Sequence, residues 1–264
     1  MDLAFLLLVV LLRQEVAALK LLSINVPPYT LRGKNAILEC SYDLESDKLY
    51  SFSWYKDHEE FYRYVPRSDP TQHSYHVEGI KVDHRHSNNT RVQLQDVGFH
   101  TSGRYKCEVV AEAPNFYSVI AEANMEVIAL PQKSPTITGE EKIYASGDVL
   151  ALNCTSDRSH PGAHIKWFIN DEQVKADLEG KLEQHGMISM ISSLRLKLEP
   201  DHLSSEKINV RCEATVQSNQ EQNGQIYDVR TTEFFVQGQA NLLRPSACLL
   251  LLTLFSLQRL LLPL

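Results

Sequence analysis

Two cysteine pairs, each bracketing a tryptophan, constrain this 264-residue chain more than any other feature. Trp54 follows Cys40 by 14 residues and Cys107 follows it by 67. Trp167 follows Cys154 by 13 residues and Cys212 follows it by 58. Around these landmarks apolar and polar residues alternate, as in Ala36-Ile37-Leu38-Glu39-Cys40 and again across 50–56, 90–97, 104–110 and 118–128. No stretch sustains a 3.6-residue period. Short alternating runs separated by turn residues form antiparallel strands with one buried face, so the chain reads as all-β. None of the five cysteines forms a CxxC pair, which excludes a zinc ribbon or a thioredoxin-type site.

The tyrosine two residues before Cys107 specifies the sandwich. A strand-B cysteine, a strand-C tryptophan and a strand-F cysteine with a tyrosine corner are the immunoglobulin signature. In that reading Cys40 and Cys107 pin the two sheets, Trp54 fills the space against them, and the Tyr105 hydroxyl ties the E–F corner to the backbone. Closing a loop of that length stabilises by roughly 4 kcal/mol on the chain-entropy account. The long first span leaves room for C′ and C″ strands, a variable-type domain. The second span, with the pair Cys154 and Cys212, is shorter, and Val210 stands where the corner tyrosine would be. It reads as a constant or intermediate type. Pro131 and Pro135 mark the linker. The expected organisation is two tandem immunoglobulin-like β-sandwiches, 19–131 and 132–238, flanked by segments 1–18 and 239–264.

Both flanking segments read as addresses. The apolar run 3–12 is too short to span a bilayer but fits a signal-peptide core, with Val16-Ala17-Ala18 as the cleavage site. The C-terminal segment is leucine-rich, and its only charge beyond residue 247 is Arg259. Gly238-Gln239-Ala240, a short polar spacer and that apolar end fit a GPI-attachment signal with Gly238 as acceptor. A membrane-spanning helix and plain secretion are the alternatives. Removal of the tail discards Cys248 and leaves four cysteines, an even number suited to an oxidising compartment. Two sequons, Asn88-Asn89-Thr90 and Asn153-Cys154-Thr155, then offer Asn88 and Asn153 for glycosylation.

Charge and motifs exclude other classes. With 26 basic against 33 acidic residues the net charge is −7, unsuited to gripping nucleic-acid phosphates. No glycine-rich phosphate loop, GxSxG elbow or HExxH motif occurs, so neither catalytic residues nor a cofactor nor a small-molecule substrate is expected. His84-x-His86, with His73 and His76 nearby, lacks the three or four converging ligands of a zinc site and reads as ordinary surface histidine.

Within this frame the block Glu60-Phe61-Tyr62-Arg63-Tyr64, which follows Trp54-Tyr55-Lys56, resembles the Beaten path (Beat) family of axon-guidance proteins. The likeness runs through 35–45, Trp54-Tyr55-Lys56, the block Glu60-Phe61-Tyr62-Arg63-Tyr64-Val65-Pro66, Cys107-Glu108-Val109 and Ala113-Pro114-Asn115-Phe116. In the second half it includes Gly147-Asp148-Val149, Asn153-Cys154-Thr155-Ser156 and Trp167-Phe168-Ile169-Asn170. The resemblance implies a cell-surface or secreted protein that binds Sidestep-type immunoglobulin proteins heterophilically in axon guidance, defasciculation or synaptic matching. Homophilic adhesion is the competing expectation. Thr101 stands where many variable domains carry aspartate.

Alternation also proposes a binding face. With Trp54 and Cys107 inward, Ser53, Tyr55, Lys106 and Glu108 point outward. The C′ region adds Phe61, Tyr62, Arg63 and Tyr64, and the F–G loop adds Phe116 and Tyr117. The turn Asp57-His58-Glu59 leaves the C′ parity open: either Tyr62 and Tyr64 face outward, or Phe61 and Arg63 do. Tyr, Phe and Arg gathered on one sheet have the composition of interface hot spots.

Overall fold

A computed structural model describes residues 19–239 apart from 115, 140, 142, 204–206 and 219–223. The expected signal segment 1–18, and the expected tail from 240 onward, lie outside the described residues. The chain divides into two compact units between Ala129 and Leu130.

The first unit has nine strands among its described residues. They are β1 (Lys20–Asn25), β2 (Tyr29–Leu31), β3 (Ala36–Asp43), β4 (Leu49–Lys56), β5 (Glu59–Tyr64), β6 (Gln72–Ser74), β7 (Arg91–Leu94), β8 (Gly103–Ala111) and β9 (Ser118–Ile128). One sheet runs β1-β3-β7 and the other β2-β9-β8-β4-β5-β6. Period-two alternation sets the inner faces: Ala36, Leu38 and Cys40 from β3 and Tyr105, Cys107, Val109 and Ala111 from β8 are buried. The Cys40–Cys107 disulfide joins the sheets with its Cα atoms 6.5 Å apart, and Trp54, opposite Cys107, is completely buried. Tyr105 closes the corner by donating its hydroxyl to the Thr101 carbonyl at 2.5 Å. Burial of that phenol, followed by the nearby Asp57 carboxylate, raises its pKa.

The Thr101 substitution has a structural role. Its buried hydroxyl donates to the Gly79 carbonyl at 2.6 Å and accepts from the Gly98 amide at 2.9 Å. Gly79 itself has φ +77, and a Cβ there would lie 2.5 Å from the His100 carbonyl carbon. A second anchor is Asp83, which accepts from His86 Nδ1 (2.8 Å), Gln95 Nε2 (2.7 Å) and the Arg85 amide (3.0 Å). The His86 bond foremost, with Gln95 and Arg85, holds its pKa down at about 2.

The second unit repeats the plan. Its strands are β10 (Thr136–Thr138), β11 (Ile143–Ala145), β12 (Val149–Thr155), β13 (His164–Ile169), β14 (Glu172–Val174), β15 (Leu178–Gln184), β16 (Met187–Lys197), β17 (Lys207–Gln217) and β18 (Ile226–Gln239). The sheets are β10-β12-β16-β15 and β11-β18-β17-β13-β14. Cys154 and Cys212 are bonded, and Trp167 packs opposite Cys212 with its indole N–H donated to Ser192 Oγ at 3.0 Å. Val210, fully buried, cannot form a hydroxyl corner. Asn170 takes over part of that role: its amide nitrogen donates to the His202 carbonyl (3.3 Å) and its oxygen accepts from the Asn209 amide (2.9 Å).

Two outcomes are expected for the first domain. The contribution of Asp83 to its stability is fully present above about pH 4 and is lost as pH drops toward 2, because across that window the unfolded chain binds a proton that the folded carboxylate, with its lowered pKa, does not. Urea melts across this range test it, and Asp83→Asn, less stable at neutral pH, flattens the profile. Gly79→Ala lowers thermal stability by about 2 kcal/mol through the strained φ and the backbone clash.

Candidate partner-binding face

The outer surface of the six-stranded sheet is built in rows set by register. Tyr55 lies beside Lys106, which lies beside Glu122; Ser53 lies beside Glu108, which lies beside Ile120. On the other flank Arg63 sits opposite Ser53 and Glu60 opposite Tyr55. The Tyr55 hydroxyl donates to Glu108 Oε2 at 2.7 Å, while Lys106 Nζ rests 4.0 Å from the centre of the Tyr55 ring. Arg63 grips Glu60 through two bonds of 2.7 and 2.8 Å. Burial first, then the bond to the Glu108 carboxylate, pushes the Tyr55 pKa up to about 12, so it is a neutral donor at physiological pH. The centre of the face is thus an ordered charge array around one tyrosine. Ser53 is on this side but covered, at 3% exposure.

One end of the sheet is apolar. Tyr50, Phe116, Tyr117 and Ile120 are all exposed, the first two at 52% and 58%. Phe116 has φ +47, a conformation uncommon for a bulky residue, and presents its ring edge-on to Tyr50 with centroids 6.2 Å apart. Beside them a pocket of about 190 Å³ is lined by Tyr50, Val65, Arg67, Glu112, Ala113 and Phe116. Arg67 reaches Glu112 across it at 2.7 Å.

The structure corrects the expected C′ contribution. Phe61 and Tyr62 are both completely buried and belong to the core. Trp54 pairs with Tyr62 but Tyr55 pairs with Glu60, so Phe61 is the extra residue of a β-bulge. The bulge turns two successive aromatics inward. Phe61 packs edge-on to Tyr105, and Tyr62 packs against Phe52 while donating its hydroxyl to the Asn88 carbonyl at 3.0 Å. Tyr64, in phase with Tyr62, packs partly buried against the same core. Of the expected face residues, Tyr55, Arg63, Phe116 and Tyr117 lie outward. Tyr50, Ile120 and the Arg67–Glu112 pair were not anticipated. Ile120 alternates outward with Glu122 and Asn124, a signal present in the sequence; the place of Tyr50 depends on a second bulge, between Leu49 and Ser51.

The histidines do not converge. His84 contacts Ser74 (2.7 Å) and Gln72 (3.2 Å), while His86 contacts Asp83. Among the described residues no group of three or more His, Cys, Asp or Glu gathers as a metal site. Both sequon asparagines are exposed. Asn88 Oδ1 accepts from the Thr90 amide (2.9 Å) and hydroxyl (3.1 Å), and Asn153 Oδ1 accepts from Ser193 Oγ (2.6 Å).

Comparison with known proteins matches each unit to a family profile. Residues 27–128 match the immunoglobulin V-set domain and residues 131–223 the CD80-like C2-set immunoglobulin domain. The chain carries two tandem immunoglobulin domains, V-set then C2-set. It is distantly similar to cell adhesion molecules: 28% identical over 104 residues to cell adhesion molecule 3 of Xenopus laevis, covering 39% of this chain and 25% of that protein. Human cell adhesion molecule 2 is 30% identical over 84 residues, covering 32% and 18%. The chain therefore spans about a quarter or less of the length of these relatives. The same V-then-C2 architecture occurs in the amphioxus IgVJ-C2 molecule, at TM-score 0.50 and 16% identity over 79% of this chain and 99% of that one. Among the described residues no helix is long and apolar enough to cross a membrane.

Burial separates the roles of two V-set tyrosines. Tyr62→Ala is expected to destabilise the domain by about 3–5 kcal/mol, as large aromatic truncations in cores do. Tyr55→Ala, on the outer face, costs less than half of that. Denaturant melts of the two variants, side by side, make the comparison.

Proposed function

We propose that this protein is an extracellular recognition protein whose V-set domain binds another immunoglobulin-type cell-surface protein through the outer face of its six-stranded sheet. The observation that carries the reading is the concentration of Tyr50, Tyr55, Arg63, Phe116, Tyr117 and Ile120 on that sheet and its loop end. Aromatic side chains bury much area at little entropic cost, and the paired charges around Tyr55 impose register and partner choice rather than raw affinity. The Beat-type resemblance makes Sidestep-like proteins the partner class and heterophilic binding in axon guidance the output. Similarity to proteins named cell adhesion molecules supports homophilic adhesion as the second reading.

The rest of the chain fits a surface protein. Two disulfides suit an oxidising compartment, and glycans at Asn88 and Asn153 suit their exposed positions. Gly238, the proposed lipid acceptor, pairs with Tyr144 at the end of β18, so an anchor there would join the sandwich with almost no spacer. Phosphatidylinositol-specific phospholipase C releases a GPI-anchored form from expressing cells. Retention after treatment points to a membrane-spanning tail.

Binding to a panel of immunoglobulin ectodomains, with beads coated by this protein alone as the homophilic control, tests the main reading. Tyr55→Ala combined with Phe116→Ala is expected to weaken partner binding by at least ~2 kcal/mol, about thirtyfold, with the fold intact. Glu199→Lys in the C2-set domain leaves affinity unchanged. A C2-set change that weakens binding while the tyrosine–phenylalanine pair does not would place the interface elsewhere.

A further inference from the structure

Strand β15 of the C2-set domain inverts the polarity expected of a sandwich strand. All seven of its residues are exposed. Its register with β16 places Glu179, Lys181 and Glu183 on the side of buried Ser192, and Leu178 and Leu182 on the outer side, at 71% and 63% exposure. Among the described residues β15 pairs only with β16 and forms the edge of its sheet.

The hydrogen-bonding phase of that edge follows from β16. Met190 and Ile188 offer their backbone groups to Ser156 and Ser159, on the side away from β15. The intervening residues 187, 189, 191 and 193 therefore turn theirs toward β15, where they meet Gln184, Leu182, Gly180 and Leu178. The backbone N–H and C=O groups of Glu179, Lys181 and Glu183 consequently point outward along the free edge.

We propose that β15 pairs antiparallel with β15 of a second copy of this chain about a dyad at Gly180, joining two four-stranded sheets into one of eight. In this register Glu179 and Lys181 exchange backbone hydrogen bonds with Lys181 and Glu179 of the other copy. Opposite charges then face each other twice on one side of the sheet. On the other side Leu178 meets Leu182 twice, which covers the leucines that the isolated domain leaves in water. A dyad at Lys181 would instead set lysine against lysine and Glu179 against Glu183, and like charges directly opposite are destabilising. Edge strands are commonly blunted by charge, but here the central pair Glu179 and Lys181 complements itself on reversal about Gly180, while Glu183 falls opposite Asp177, just beyond the end of the strand. Within one copy Lys181 and Glu183 lie 3.8 Å apart, both largely exposed, a long contact that the pairing replaces at little cost. The pairing involves only the C2-set domain and does not depend on the V-set face binding a partner.

Cysteine scanning reads the dyad directly. At a dyad of this phase the two Gly180 Cα atoms lie about 4.5 Å apart, within disulfide range, whereas the two copies of residue 182 lie about 13 Å apart along the strand. A side chain at Gly180 meets open space, so Gly180→Cys leaves the fold undisturbed. The full chain is expressed on cells with Cys248→Ser in every variant, and non-reducing gels measure the covalent dimer. Gly180→Cys is expected to crosslink at least fivefold more than Leu182→Cys. Adding Lys181→Glu abolishes the excess, and Glu179→Lys on top restores it. Chains with Glu179→Cys and Lys181→Cys on separate tags crosslink to each other and not to themselves, an independent readout of the register. Equal crosslinking at 180 and 182, preference for 182, or indifference to the charge reversal would each overturn the proposal.

Discussion

Each sheet of this protein is apolar on one side only, so neither is stable until its inner face is covered by the other. The Cys40–Cys107 bond holds that contact at one spacing in the V-set domain, and Trp54 fills the volume the spacing creates. Tyr105 adds the third restraint, tying the turn before β8 to the Thr101 carbonyl. Once these are set, alternation leaves no choice about which residues of β3 and β8 face water. The outer face of the six-stranded sheet is a consequence of how the inner one is pinned.

The two domains satisfy the same constraint by different polar devices. In the C2-set domain the tryptophan N–H has an acceptor in Ser192, whereas Trp54 Nε1 has no hydrogen-bond partner among the described residues. The V-set domain ties its corner with a tyrosine; the C2-set domain, with Val210 in that place, uses the Asn170 amide on both the Asn209 amide and the His202 carbonyl. In both cases a side chain gives backbone groups at the sandwich end a partner, in a buried bond in the V-set domain and in exposed bonds in the C2-set domain.

The proposed recognition face owes its character to defects in the alternation rather than to the alternation itself. The bulge at Phe61 draws two aromatics into the core and leaves Arg63 alone outside, paired with Glu60. The face is therefore charged and ordered at its centre, around Tyr55, and aromatic at the loop end, where Phe116 adopts a positive φ. An ordered charged centre favours discrimination between partners, and an exposed aromatic end contributes the area that affinity requires.

The sequence by itself determined the class, the two domains and both disulfides, because cysteine, tryptophan and tyrosine at those spacings leave one all-β arrangement that buries them together. It also determined the outward direction of Tyr55, Lys106 and Glu108, which follows from period two counted from Trp54 and Cys107. Only the tertiary structure decided the C′ parity. A single extra residue shifts the phase of the strand, and whether Phe61 or its neighbour is that residue depends on how the rings pack, Phe61 against Tyr105 and Tyr62 against Phe52. Tyr50, on β4, and the Arg67–Glu112 pair likewise come together from segments distant in sequence, where no periodicity links them. Local pattern specifies faces within a strand; long-range packing alone chooses the phase between strands.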